Sequence, residues 1–122
     1  MREIYVFKVV RVESKRLVSA IYKPCDNEDL ITYMVGEPTR PRPGWGPLSA
    51  FESLREALVF RERNIYAIYP SEIWLARAKS SSEKALWQPT RPFYTKRHPK
   101  LPSWCPPGTV LCDEITLIAR VM

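Results

Sequence analysis

Histidine is almost absent from this chain, with His98 the only one in 122 residues. A Ser-His-Asp triad or a Cys-His pair would have to be built on that one residue, and no G-x-S-x-G elbow accompanies it. Glycine is nearly as scarce, at four residues. No G-x-G-x-x-G or Walker-type loop exists to cradle phosphates. The three cysteines, Cys25, Cys105 and Cys112, are an odd number with no C-x2-C pair, so neither a disulfide framework nor a zinc ribbon is written here. A Cys105–Cys112 bridge would need the strand after Pro107 to fold back, and in a reducing cytosol the thiols are expected free. With His98 the cysteines supply the ligand types of a Cys3His zinc site, but not its spacing, and no metal is assigned. Long apolar runs are missing as well, and no charged-then-apolar leader is visible. These absences set the expectation of a cytoplasmic protein with no membrane attachment, no cofactor and no common enzymatic apparatus.

Proline is what the chain has in excess. Of twelve prolines, four lie between residues 38 and 47 and six between 89 and 107. Each fixes φ and pushes its predecessor towards extended backbone, so two stiff loops are expected, at about 35–47 and 79–108. In the first, Trp45 between two glycines is expected either as an apolar plug for the core or as a binding residue. This loop leads through Leu48–Phe51 into the one convincing helix, about residues 53–63. Ser53-Leu54-Arg55-Glu56 fits a capping box, Phe51 staples near Leu58, and Leu54, Ala57, Leu58 and Phe60 make one apolar face.

Around that helix the periodicity is that of strands. Ile4–Val12 is apolar on both faces and reads as a central strand, returning through Leu17–Tyr22 as a hairpin. Pro24–Asp29 is an acidic loop without the spacing of an EF-hand. Leu30–Met34, Ile65–Tyr69 and Ile73–Ala78 are strand-like, the last two separated or bent at Pro70-Ser71. Lys79–Lys84 reads as a polar turn, and strand material returns at Thr109–Leu111 and Ile115–Val121 around Asp113-Glu114. Strands, one helix, then strands predict a single α+β domain over residues 1–122 with a mainly antiparallel sheet. The first and last strands, the most apolar, are expected side by side at its centre.

The net charge of +6 is local. From Arg77 to Lys100 there are seven basic residues against Glu83 alone. Arg91, Phe93, Tyr94, Lys96, Arg97 and Lys100, followed by Trp104, interleave cations with aromatic rings. Cations neutralise phosphates and rings stack on exposed bases, which suits single-stranded nucleic acid. The same residue types anchor protein–protein contacts. A third reading has the rings covering the core and the cations simply solvated. Arg40 and Arg42 join the patch if the two loops lie together. The partner expected is a protein or a nucleic acid, and the oligomeric state is left open.

Taken as a set, F-K-V-V-R, R-L-V-S-A, Y-M-V-G-E-P-T-R-P, G-W-G-P-L-S-A-F-E-S-L-R-E-A and P-P-G-T-V-L-C-D-E-I-T-L-I-A-R-V resemble a small uncharacterised domain of phages, prophages and archaeal viruses. The resemblance covers most of the chain outside about 79–104. It implies an accessory protein of viral or mobile-element origin and no particular activity. The step G-x-L-x-A-F-x-S-x-x-x-A, with a basic first strand and a late glutamate, is also similar to the layout of ADP-ribosyltransferases. That likeness implies dinucleotide binding by Arg11, Ser49 as the serine of the middle strand, and Glu114 beside a developing oxocarbenium charge. It departs from the pattern in having no histidine on the first strand and no Q-x-E or E-x-E before the last. The reading carried forward is a non-catalytic interaction module.

Overall fold

Strand β1, Glu3–Glu13, is the spine of the molecule. The computed structural model describes residues 3–19, 31–41, 47–63, 70–82 and 108–122. Along them follow β2 (Arg16–Ser19), β3 (Thr32–Tyr33), β4 (Leu48–Phe51), α1 (Leu54–Arg63), β5 (Ser71–Ser80) and β6 (Thr109–Arg120). All strand pairings are antiparallel and the one helix packs on the sheet, which is the α+β architecture expected from the sequence.

The sheet closes on itself. Its order is β3-β2-β1-β4-β6-β5, and β5 returns to pair with β1. One edge of β1 is filled by β5 from Glu3↔Lys79 to Arg11↔Ser71. The other edge is shared: β2 takes Val10 to Glu13, while β4 touches only at Phe7↔Phe51. Strand β6 shares its free edge in the same way. Its start pairs with β4 from Leu48↔Cys112 to Phe51↔Thr109, and beyond that Thr39 exchanges backbone hydrogen bonds with Ile115 while the Gly36 amide donates to Leu117. Two short bridges, β4 and the β2–β3–Thr39 arm, therefore complete one small barrel.

A barrel has an inside and an outside, and alternation sorts β1 between them. Val6, Lys8 and Val10 point inward, where Val6 and Val10 meet Leu48, Ala50, Ala76, Ala78, Cys112, Ile115 and Leu117. Phe7 and Val9 point outward and pack with Phe51, Ile73 and Ala57 of α1. Each fully buried aliphatic side chain stabilises by about 2 kcal/mol relative to leaving it in water. This double burial is why β1 reads as apolar on both faces. Strand β6 keeps its apolar residues inside by bulging: Lys79 faces Glu114 and Ser80 faces Cys112, skipping Asp113. The extra residue switches parity, so Cys112, Ile115 and Leu117 share the interior.

The helix starts as its sequence predicts. The Glu56 amide donates to Ser53 Oγ at 3.2 Å, and that hydroxyl donates to the Glu56 carboxylate at 2.7 Å. The cap is thus closed between side chains. Phe51 stacks at a tilt on Phe60, ring centroids 5.1 Å apart.

Several sequence expectations are corrected. The first and last strands are not neighbours; both flank β5. The bulge at Asp113 makes one strand, β6, out of what reads as two. Leu48–Phe51 is a strand of its own, and Lys79 and Ser80 belong to β5 instead of a turn. The first proline loop begins as barrel wall, since Gly36 and Thr39 are hydrogen-bonded to β6. The Trp45 plug, the acidic loop and Ile65–Tyr69 lie outside the described residues.

Candidate functional site

The residues nominated from sequence do not converge where they can be placed. Arg11 stands opposite Ser71 and Glu114 opposite Lys79, eight residues away along β5. At about 3.3 Å per residue that is roughly 26 Å. Ser49 is 3% exposed on β4. Arg11 is equally buried and lies 3.4 Å from Glu13, its neighbour on the same face of β1. Glu114 accepts from Arg40 Nε at 3.0 Å and lies 3.7 Å from Lys79 Nζ. Arg40, expected in the docking patch, is thus paired in the barrel wall. Arg42, Trp45, Arg91, Phe93, Tyr94, Lys96, Arg97, Lys100 and Trp104 lie outside the described residues, as does His98.

What does converge is inside the barrel. Lys8 is 2% exposed, and its ammonium donates to the Ser49 carbonyl oxygen at 2.6 Å. It also sits 5.3 Å from the centre of the Tyr33 ring, within range of a cation–π attraction. Tyr33 is buried too, and its hydroxyl has no hydrogen-bond partner among the described residues. The free thiol of Cys112 completes the group from β6, fully buried.

Burial sets the electrostatics of all three. Desolvation lowers the Lys8 ammonium to about 8, with the nearby Cys112 opposing the shift. Desolvation pushes the Cys112 thiol up to about 11, against the pull of Lys8 and with a smaller push from Asp113. The Tyr33 phenol is raised far above its usual range by burial and by Cys112. At neutral pH Lys8 is therefore an ammonium, Cys112 a thiol and Tyr33 a phenol. Among the described residues no carboxylate faces Lys8. Glu72, on the same face of β5 at the barrel end, accepts from the Trp74 indole at 3.0 Å and lies 3.3 Å from Arg120.

Sequence reasoning passed over Lys8 as one polar slot in an alternating strand. The signal was its place: a lone cation midway along the inward face, between Val6 and Val10. Tyr33 carried no such signal, because a tyrosine in a short strand is ordinary core. Among the described residues no helix is long and apolar enough to cross a membrane. No protein-family model matches the chain, and neither a curated protein nor a solved structure matches it.

Proposed function

We propose that the protein is a non-catalytic basic binding module whose docking element is the segment joining β5 to β6. One supporting observation is that four cations on the barrel strands and wall are paired with carboxylates. Arg40 and Lys79 share Glu114, Arg77 reaches Glu3, and Arg120 reaches Glu72. Pairs this exposed add little to stability, about 0–1 kcal/mol each, but they offset charge that would otherwise act at a distance. Residues 84–100 hold five cations and no carboxylate, against a net charge of +6 for the whole chain. Long-range attraction for an anionic partner is concentrated there.

The ends of that segment are pinned side by side. Ser80 pairs with Cys112, the Ser81 amide donates to the Leu111 carbonyl, and the Gly108 carbonyl accepts from the Glu52 amide at the helix start. A connection rooted at both ends loses less entropy on docking than a free tail. Arg91, Lys96 and Arg97 supply the charge, while Phe93, Tyr94 and Trp104 supply stacking faces. The partner is an acidic protein surface or single-stranded nucleic acid. On this reading the module works in a cytoplasm, that of the host cell if the chain is an accessory protein of a virus or mobile element. The free Cys112 thiol suits such a reducing compartment.

Filter binding of a single-stranded oligonucleotide and of a polyglutamate peptide, each across a salt series, tests the proposal. One probe should bind at low salt and weaken steeply as salt rises. The combined Arg91→Ala, Lys96→Ala and Arg97→Ala variant should lose at least about tenfold in affinity. With the oligonucleotide it should also flatten the log–log salt slope by about 2. If neither probe binds at low ionic strength, the proposal fails.

A further inference from the structure

We propose that the outer face of β1 and β5 is a stacking platform for single-stranded nucleic acid, with Tyr5 under a base and Arg77 beside a phosphate. The proposal rests on the reading above of a module for an anionic partner, and it names that partner from residues outside the β5–β6 segment. Among the described residues Tyr5 is the most exposed large hydrophobic side chain, at 65%. It belongs to the outward set of β1 with Phe7 and Val9, but the cluster under the helix takes in those two and stops short of it. A single exposed ring is ordinary on a protein surface. Its neighbours give this one a use.

Arg77 lies directly opposite Tyr5 in the β1–β5 register, and Lys79 lies opposite Glu3. Both point outward, since Ala76 and Ala78 between and before them belong to the interior. Side chains so placed on one face stand about 5 Å apart at Cβ. Lys79 in turn faces Glu114 of β6, which also holds Arg40. The face thus carries three cations against two carboxylates, and neither carboxylate is much of an obstacle. Glu114 is 13% exposed against 72% for Arg40, so an incoming phosphate meets the cation first. Glu3 meets Arg77 at 3.8 Å, with both side chains about half in water. A pair that loose costs little to exchange for a phosphate.

The same setting separates two kinds of anionic partner. An anchor ring in a protein–protein contact sits in an apolar core rimmed by polar groups. Tyr5 has charged neighbours instead, Arg77, Glu3 and Lys79, and the next ring along β1, Phe7, is packed under the helix. A base asks for one ring face with cations for its backbone, which is what this face offers. Arginine adds a planar surface that itself stacks. The face also adjoins the segment proposed for docking, which leaves β5 at Ser81, just past Lys79.

The probe is a labelled oligodeoxythymidine, which forms no hairpin, followed by fluorescence anisotropy on the full chain across a salt series. Tyr5→Thr removes the ring but keeps a strand-forming residue on an exposed site. It should weaken binding about tenfold and leave the salt slope unchanged, whereas Tyr5→Phe should stay within about twofold of the wild type. Arg77→Ala should flatten the log–log salt slope by about 0.7, the share of one phosphate. Glu3→Gln should tighten binding about threefold. The ring signals of Tyr5, assigned in NMR spectra by their loss in Tyr5→Phe, should move upfield as oligonucleotide is added. Wild-type affinity in Tyr5→Thr, with binding lost in the combined Arg91, Lys96 and Arg97 variant, would overturn the platform and leave the segment standing. The reverse pattern would keep the platform and remove the segment. Ring signals indifferent to the oligonucleotide, or no oligonucleotide binding at low salt whether or not polyglutamate binds, would also overturn the platform.

Discussion

Strand β1 buries two cations, one on each face, and the fold accommodates them by different means. Arg11 is 3% exposed and has a carboxylate 3.4 Å away, supplied two residues on by the same strand. Lys8 is 2% exposed and, among the described residues, has a carbonyl oxygen, an aromatic face and no carboxylate. The difference follows from residue chemistry. A guanidinium stays charged at any accessible pH, so a buried arginine must be given an anion. An amine can surrender its proton, and the interior moves Lys8 to about 8 instead of neutralising it. The outer face thus holds a structural ion pair, and the inner face holds a group whose charge is negotiable.

The largest effect should come from breaking the pair on the outer face. Glu13→Gln keeps shape and hydrogen-bonding capacity but removes the carboxylate 3.4 Å from Arg11. A loss of up to about 3 kcal/mol in urea unfolding is expected, because a desolvated charge that loses a carboxylate neighbour is less well compensated. A loss below about 1 kcal/mol would mean that Glu13 does not sustain Arg11, and the contrast between the faces would lapse. The inner face should respond the opposite way. Lys8→Met replaces the ammonium with an apolar chain of similar length. It should be neutral or more stable by up to about 2 kcal/mol at pH 7. A loss there would instead identify the Lys8–Ser49 hydrogen bond as the clasp that holds β4 to β1.

The sequence disclosed the outer arrangement better than the inner one. The helix and its cap follow from Ser53 and Glu56 three residues apart, a local rule with a local cause. The central character of β1 follows from its two apolar faces. Barrel closure left no such mark, because it rests on which edges meet, as at the single pair Phe7↔Phe51 and the bonds from Gly36 and Thr39 to β6. The bulge at Asp113 was hidden for a related reason: it becomes visible only against a partner strand, and without one the acidic pair reads as a turn. Misplacing the closure also concealed the interior, so Lys8, Tyr33 and Cys112, distant in sequence, could not be seen as one group. Arg40 was read as part of a docking patch and Glu114 as a catalytic carboxylate, so their pairing was not foreseen.

The pH profile of stability sharpens the contrast most finely, since Lys8 should dominate on the alkaline side. Lys8 titrates near 8 when folded and near 10.5 when unfolded, so between those values the unfolded chain binds more protons. Stability must therefore rise with pH from just below 8 until about 10.5. Cys112 acts with the opposite sign. Its thiol ionises near 9 when unfolded and near 11 when folded, so the unfolded state gains by releasing its proton and stability falls through that range. Tyr33, raised further still, adds to the fall above about pH 10. The sum is a gain of about 1 kcal/mol between pH 7 and a maximum near pH 9, then a decline. Urea unfolding at half-unit steps from pH 7 to 10.5 would trace it. In Lys8→Met the rising limb should vanish and leave only the Cys112 and Tyr33 descent from pH 8 upward. A rising limb that survives that substitution would show that some other buried base, and not the inward lysine, carries the negotiable charge.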